Sequence, residues 1–95
     1  MTDYYHIGDY DLTIWFESRS KDTGAYVDPT TVNITITASD GTVIVASTAM
    51  TNSSTGKYFY TWDLTGLAAD DYRIEVLYDN GGDEGIRVTH IVLED

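Results

Sequence analysis

Two stretches of this chain place apolar side chains at every second residue, and together they hold half of its aromatic residues. In Lys57-Tyr58-Phe59-Tyr60-Thr61-Trp62, the residues Tyr58, Tyr60 and Trp62 share one face, while Lys57, Phe59 and Thr61 share the other. From Tyr72 onward, Tyr72, Ile74, Val76 and Tyr78 again share a face, against Arg73, Glu75 and Leu77. A period of two is the side-chain repeat of a β-strand, and a helix would scatter these residues around its axis. The two stretches read as facing halves of one core.

The rest of the chain follows the same rule. Val32, Ile34, Ile36 and Ala38 alternate with Asn33, Thr35 and Thr37, so this strand has one buried face and one wet face. Leu12, Ile14 and Phe16 alternate with Thr13, Trp15 and Glu17 in a strand over Tyr10–Ser18, which puts Trp15 outward and the aliphatic set inward, or the reverse. Asp40-Gly41 supplies the positive φ of a hairpin turn. It leads into Val43-Ile44-Val45-Ala46, which lacks alternation and is either buried on both faces or bulged. Met50–Thr55 reads as a loop closed by Gly56. In the last strand, Gly85–Leu93, Ile86 and Val88 point one way and Ile91 and Leu93 the other, which a bulge near Thr89-His90 reconciles.

No window carries a helical apolar period over more than a couple of turns. The expected fold is an all-β, immunoglobulin-like β-sandwich of six or seven antiparallel strands without significant helix. Leu67-Ala68-Ala69-Asp70-Asp71-Tyr72 has the form of a tyrosine corner, in which the Tyr72 hydroxyl bonds back to upstream backbone and Leu67 plugs the end of the core. Residues 1–9 read as a polar N-terminal arm and residues 10–95 as a single domain.

Charge and composition act mainly by exclusion. With 16 acidic residues against 5 basic, the chain carries a net charge of −11. It has no basic face for nucleic-acid phosphates or an anionic membrane. It has no cysteine for disulfides or thiolate sites. No signal peptide or membrane span is recognisable around the start Met1-Thr2-Asp3-Tyr4-Tyr5-His6 or later, which leads to the expectation of synthesis in the cytoplasm. His6 and His90 lie far apart without an acidic or hydroxyl partner at diagnostic spacing, and no nucleophile elbow, phosphate loop or dinucleotide fingerprint occurs. No catalytic residue is assigned, and a non-enzymatic role is expected.

Two kinds of residue remain as site candidates. Asp79, Asp83 and Glu84, at a turn beside Asn80, are the candidate set for structural calcium, which gathers six to eight oxygens; the competing reading is solvated turn acids. Tyr4, Tyr5, Trp15 and Phe59 are the candidate partner-binding aromatics, with Tyr10 and Tyr26 as further members.

A resemblance runs through much of the chain. Ile7-Gly8-Asp9 before Leu12-Thr13-Ile14, then Val27-Asp28-Pro29-Thr30-Thr31-Val32, Asp40-Gly41-Thr42, Ser54-Thr55-Gly56-Lys57-Tyr58 and Asp71-Tyr72-Arg73 resemble the small Ig-like virion proteins of tailed phages and viruses. Leu64-Thr65-Gly66 departs from the Thr-Pro segment common in those proteins. The resemblance implies a structural component of capsid, neck or tail, located in the virion. Its partners would be other virion proteins, such as a basic ring or shell, with a homo-oligomer as one arrangement. The Gly-x-Tyr-x-Tyr and Asp-Tyr-Arg-Ile patterns also occur in bacterial surface modules, so the alternative is an adhesion or carbohydrate-binding module of a cell-surface protein.

Overall fold

A computed structural model describes residues 2–6 and 11–94, with the backbone alone for residues 2–4, 6 and 83. Eight strands follow in order: β1 (Thr2–His6), β2 (Asp11–Glu17), β3 (Thr31–Thr37), β4 (Val43–Ala49), β5 (Thr51–Ser54), β6 (Lys57–Asp63), β7 (Asp70–Asn80) and β8 (Asp83–Glu94). They form one sheet in the order β1-β8-β7-β3-β4 and another in the order β2-β6-β5. β2 to β8 pair antiparallel, and β1 alone runs parallel to its neighbour, β8. This is the Ig-like arrangement, with the second, sixth and fifth strands in one sheet and the third, seventh and eighth in the other, flanked there by the fourth and the first. No helix occurs among the described residues.

The alternating stretches do what their parity requires. Val32, Ile34 and Ile36 of β3, and Tyr72, Ile74 and Val76 of β7, are buried opposite Phe16, Tyr58 and Trp62. Trp62 and Tyr72 meet edge-on, their centroids 5.3 Å apart. The Tyr72 hydroxyl donates to the Ala68 carbonyl at 2.7 Å, closing the tyrosine corner. The plug of that corner differs from expectation. Leu64 is buried and Leu67 only half-buried, because the turn bonded from Leu67 N–H to the Leu64 carbonyl swings Leu64 beneath the sheets.

Two further expectations are corrected. Thr51–Ser54 is a short edge strand on β6, not a loop. β8 has no bulge: its pairing with β7 runs without a shift from Asp70↔Leu93 to Asn80↔Asp83. Arg87 and Thr89 occupy register positions opposite the inward-facing Val76 and Ile74, so Ile86 and Val88 stand on the outer face beside Leu77. Of the two readings of Val43–Ala46 the bulged one holds: the β3–β4 pairing carries register shifts, and β4 is a largely exposed edge strand. Thr2–His6, within the segment read as an arm, is laid along β8, with Tyr5 in register with Leu93.

Candidate functional site

The outer face of the three-stranded sheet is where the candidate aromatics converge. β2 and β6 pair without irregularity, so residues directly opposite share a face: Thr13 with Thr61, Trp15 with Phe59, Glu17 with Lys57. With Phe16 committed to the core, parity sends Trp15 outward, and 57% of it is exposed. Phe59 supports the indole from the neighbouring strand, with centroids 5.3 Å apart and planes tilted by 45°. Thr51 of β5 continues the row beyond Phe59.

Beside this pair lies a network that local spacing does not reveal. Arg19 and Tyr26 form an antiparallel bridge across the turn that separates them. The Arg19 guanidinium sits 4.2 Å and the Lys57 ammonium 5.0 Å from the centre of the Tyr26 ring. The Tyr26 hydroxyl accepts from Arg19 at 2.6 Å and donates to Glu17 Oε2 at 2.8 Å. Tyr26 is therefore committed to holding charged side chains in place beside the Trp15–Phe59 pair.

Three clefts adjoin along the β2 edge and share Arg87. The first, about 270 Å³, opens between the sheets and includes Tyr5, Leu12, Ile14, Trp15 and Thr89. The second, about 300 Å³, holds Glu17, Ser18, Arg19 and Tyr78. The third, about 550 Å³, is lined by Trp15, Glu17, Ser53, Ser54, Lys57 and Arg87. Tyr5 thus opens onto the same edge as Trp15, while Phe59 lies behind the indole.

The acidic turns are held by their own backbone. The Asp79 carboxylate accepts from the Gly82 amide at 2.8 Å. Among the described residues no group of three His, Asp or Glu side chains is placed to hold a metal. The Asp83 and Tyr4 side chains, and Tyr10, lie outside the described residues. Thr42 holds the Asp40 carboxyl below its usual range, through its hydroxyl and then its amide, and Thr65 does the same for Asp63. The Ser39 hydroxyl, bonded to Asp70 at 2.6 Å, is the main cause of the lowered Asp70 value.

Sequence spacing missed one acidic partner. His90 Nδ1 lies 3.1 Å from Asp71 Oδ1, on neighbouring strands. Ser39 lines the same shallow cleft, but its hydroxyl is turned to Asp70 rather than to the imidazole. The pair orients a histidine without aligning a nucleophile to it.

No protein-family model and no curated protein matches the chain. In fold it is similar to the solved structure of the CBM51-2 and INT domains from Clostridium perfringens ZmpB, with a TM-score of 0.56 and 11% sequence identity. That match covers 97% of this chain and 19% of the other, so this chain spans about a fifth of the length of the one it resembles. The likeness is one of all-β sandwich architecture.

Proposed function

We propose that the chain is a non-enzymatic Ig-like binding module, of the kind that serves adhesion or carbohydrate binding in a cell-surface protein, and that it attaches through the Trp15–Phe59 face. The observation that carries this reading is the exposed indole, propped by Phe59 and bordered by tethered polar and charged groups. An exposed tryptophan loses little conformational entropy on binding and offers a large apolar face, which suits a contact anchor. The likeness to the CBM51-2 and INT domains of ZmpB provides a fold precedent for this reading.

A second reading, a structural component of a tailed-phage capsid, neck or tail, is supported by the motifs from Ile7 to Arg73 described above. The same face would then dock on another virion protein. Two measurements separate the readings. Binding on a glycan array that disappears with Trp15→Ala is the outcome expected for the first. Recovery of the chain in purified particles, lost with the same substitution, would replace it with the second. Array binding indifferent to Trp15 would remove the face from either account.

A further inference from the structure

We infer that the groove beside Trp15 is a site for an acidic saccharide, with the sugar ring on the indole and its carboxylate held by Lys57 and Arg87. This rests on the Trp15–Phe59 face being the binding surface, and it adds the ligand's chemical class.

The argument begins with scarcity. The chain has 5 basic residues against 16 acidic ones, and two of the five, Lys57 and Arg87, line one groove with Trp15, the most exposed aromatic among the described residues. Among the described residues, the Lys or Arg ion pair within 4.0 Å is Arg73–Glu75, away from this groove. Among the described residues neither Lys57 nor Arg87 has a carboxylate within 4.0 Å, and Glu17, opposite Lys57 in register, is turned to the Tyr26 hydroxyl.

Both are also held in place. Arg87 stands at an inward register position opposite Val76 and reaches the open β2 edge with its guanidinium carbon 5.8 Å from the centre of the Phe16 ring. Lys57 lies against Tyr26. A cation placed over an aromatic face gains attraction from the ring and arrives at the groove already oriented. Planar guanidinium matches the fork of a carboxylate.

The remaining lining selects a sugar over an acidic peptide. The polarised C–H face of a pyranose complements the negative face of an indole. Ser53 and Ser54 supply hydroxyls, and Glu17, fixed by Tyr26, supplies an acceptor. The groove takes residues from β8, β2, β6 and β5, so it crosses the strands, whereas a peptide captured by strand addition would run along an edge.

The test titrates the folded chain with oligogalacturonate, a glucuronate oligomer, sialyllactose, the neutral galactose oligomer and an oligoglutamate of matched charge, followed by calorimetry. At least one acidic sugar is expected to bind. Its affinity should fall about tenfold or more with Arg87→Gln or Lys57→Gln, the loss of one charge-assisted contact, and disappear with Trp15→Ala. Melting curves confirm that these surface variants stay folded. If the neutral oligomer binds as tightly as the acidic ones, or Arg87→Gln changes nothing, the acidic-sugar assignment is overturned while a Trp15-dependent face stands. Binding of oligoglutamate alone, or of no probe, overturns the assignment as well. The binding-face reading is judged separately, by whether Trp15→Ala abolishes array binding or particle attachment.

Discussion

The side chain of Asp28 accepts a 2.6 Å hydrogen bond from the backbone amide of Gly56, tying together two loops from distant parts of the chain. The Gly56 carbonyl accepts from the Ser18 amide at 2.7 Å, and the Ser18 carbonyl accepts from Val27 at 3.1 Å. Gly56 has φ +74°, and a Cβ there would lie 2.6 Å from the Ser18 carbonyl oxygen and 2.8 Å from Tyr26 Cβ. The knot therefore sets the end of β2, the Tyr26 turn and the start of β6, which are the elements that frame the groove.

Gly56→Ala is expected to cost about 2–4 kcal/mol, combining left-handed backbone strain with overpacking. Asp28→Ala, which leaves the buried Gly56 amide without its acceptor, is expected to cost about 1–3 kcal/mol. Asp28→Asn keeps an acceptor oxygen and should cost less than half as much. Chemical denaturation measures all three. Equal stability of Asp28→Ala and wild type would show that the bond contributes nothing.

Tyr72→Phe removes the 2.7 Å bond to Ala68 while leaving the ring against Trp62. The expected loss is about 1–1.5 kcal/mol, or roughly 4–10 °C in Tm for a domain of this size. A change below 1 °C would mean that the corner is held by packing alone.

The two tryptophans should separate cleanly. Trp62 is 2% exposed, and Trp62→Ala should cost about 3–5 kcal/mol, enough to unfold a marginal domain. Trp15→Ala should change stability by no more than about 0.5 kcal/mol. In Trp62→Phe, the remaining Trp15 emission should be red-shifted and readily quenched by acrylamide. The reverse is expected for Trp15→Phe.

Stability should fall at both ends of the pH range. Asp40, Asp63 and Asp70 have folded pKa values below the unfolded one, so their contribution is present above about pH 4. It is lost as pH falls through the folded values. Tyr58 and Tyr72 are shifted the other way, mainly by burial and then by nearby aspartates, Asp28 for Tyr58 and Asp70 for Tyr72. Their contribution is present below about pH 10 and lost as pH rises through their raised values. Melting followed across pH should show Asp70→Asn flattening the acid limb and Tyr72→Phe flattening the alkaline limb. Unchanged limbs would remove these groups from the account.

What could be read from the chain alone follows from which contacts are local. The facing set of Tyr58, Trp62, Tyr72, Ile74 and Val76 was legible because strand parity is written into adjacent residues. The tyrosine corner was legible because its bond spans four residues. β8 misled because Arg87 and Thr89 take inward positions at the open edge of the sandwich, where solvent reaches them, and this pushes Ile86 and Val88 outward. Trp15 and Phe59 were each legible as candidates, but their pairing depended on the β2–β6 register. Lys57 and Arg87 stand on different sheets, and only the closed sandwich makes them neighbours of one groove.

The parallel seating of β1 on β8 has a mechanical consequence. Thr2 pairs with His90 at one end of the ladder, and His6 pairs with Glu94 at the other. A pull applied at Thr2 and directed away from Glu94 loads these rungs together, in shear, rather than peeling them one after another. Under such a load the strands part only when several bonds rupture at once, so the force needed should be far higher than for pulling the same strand off rung by rung.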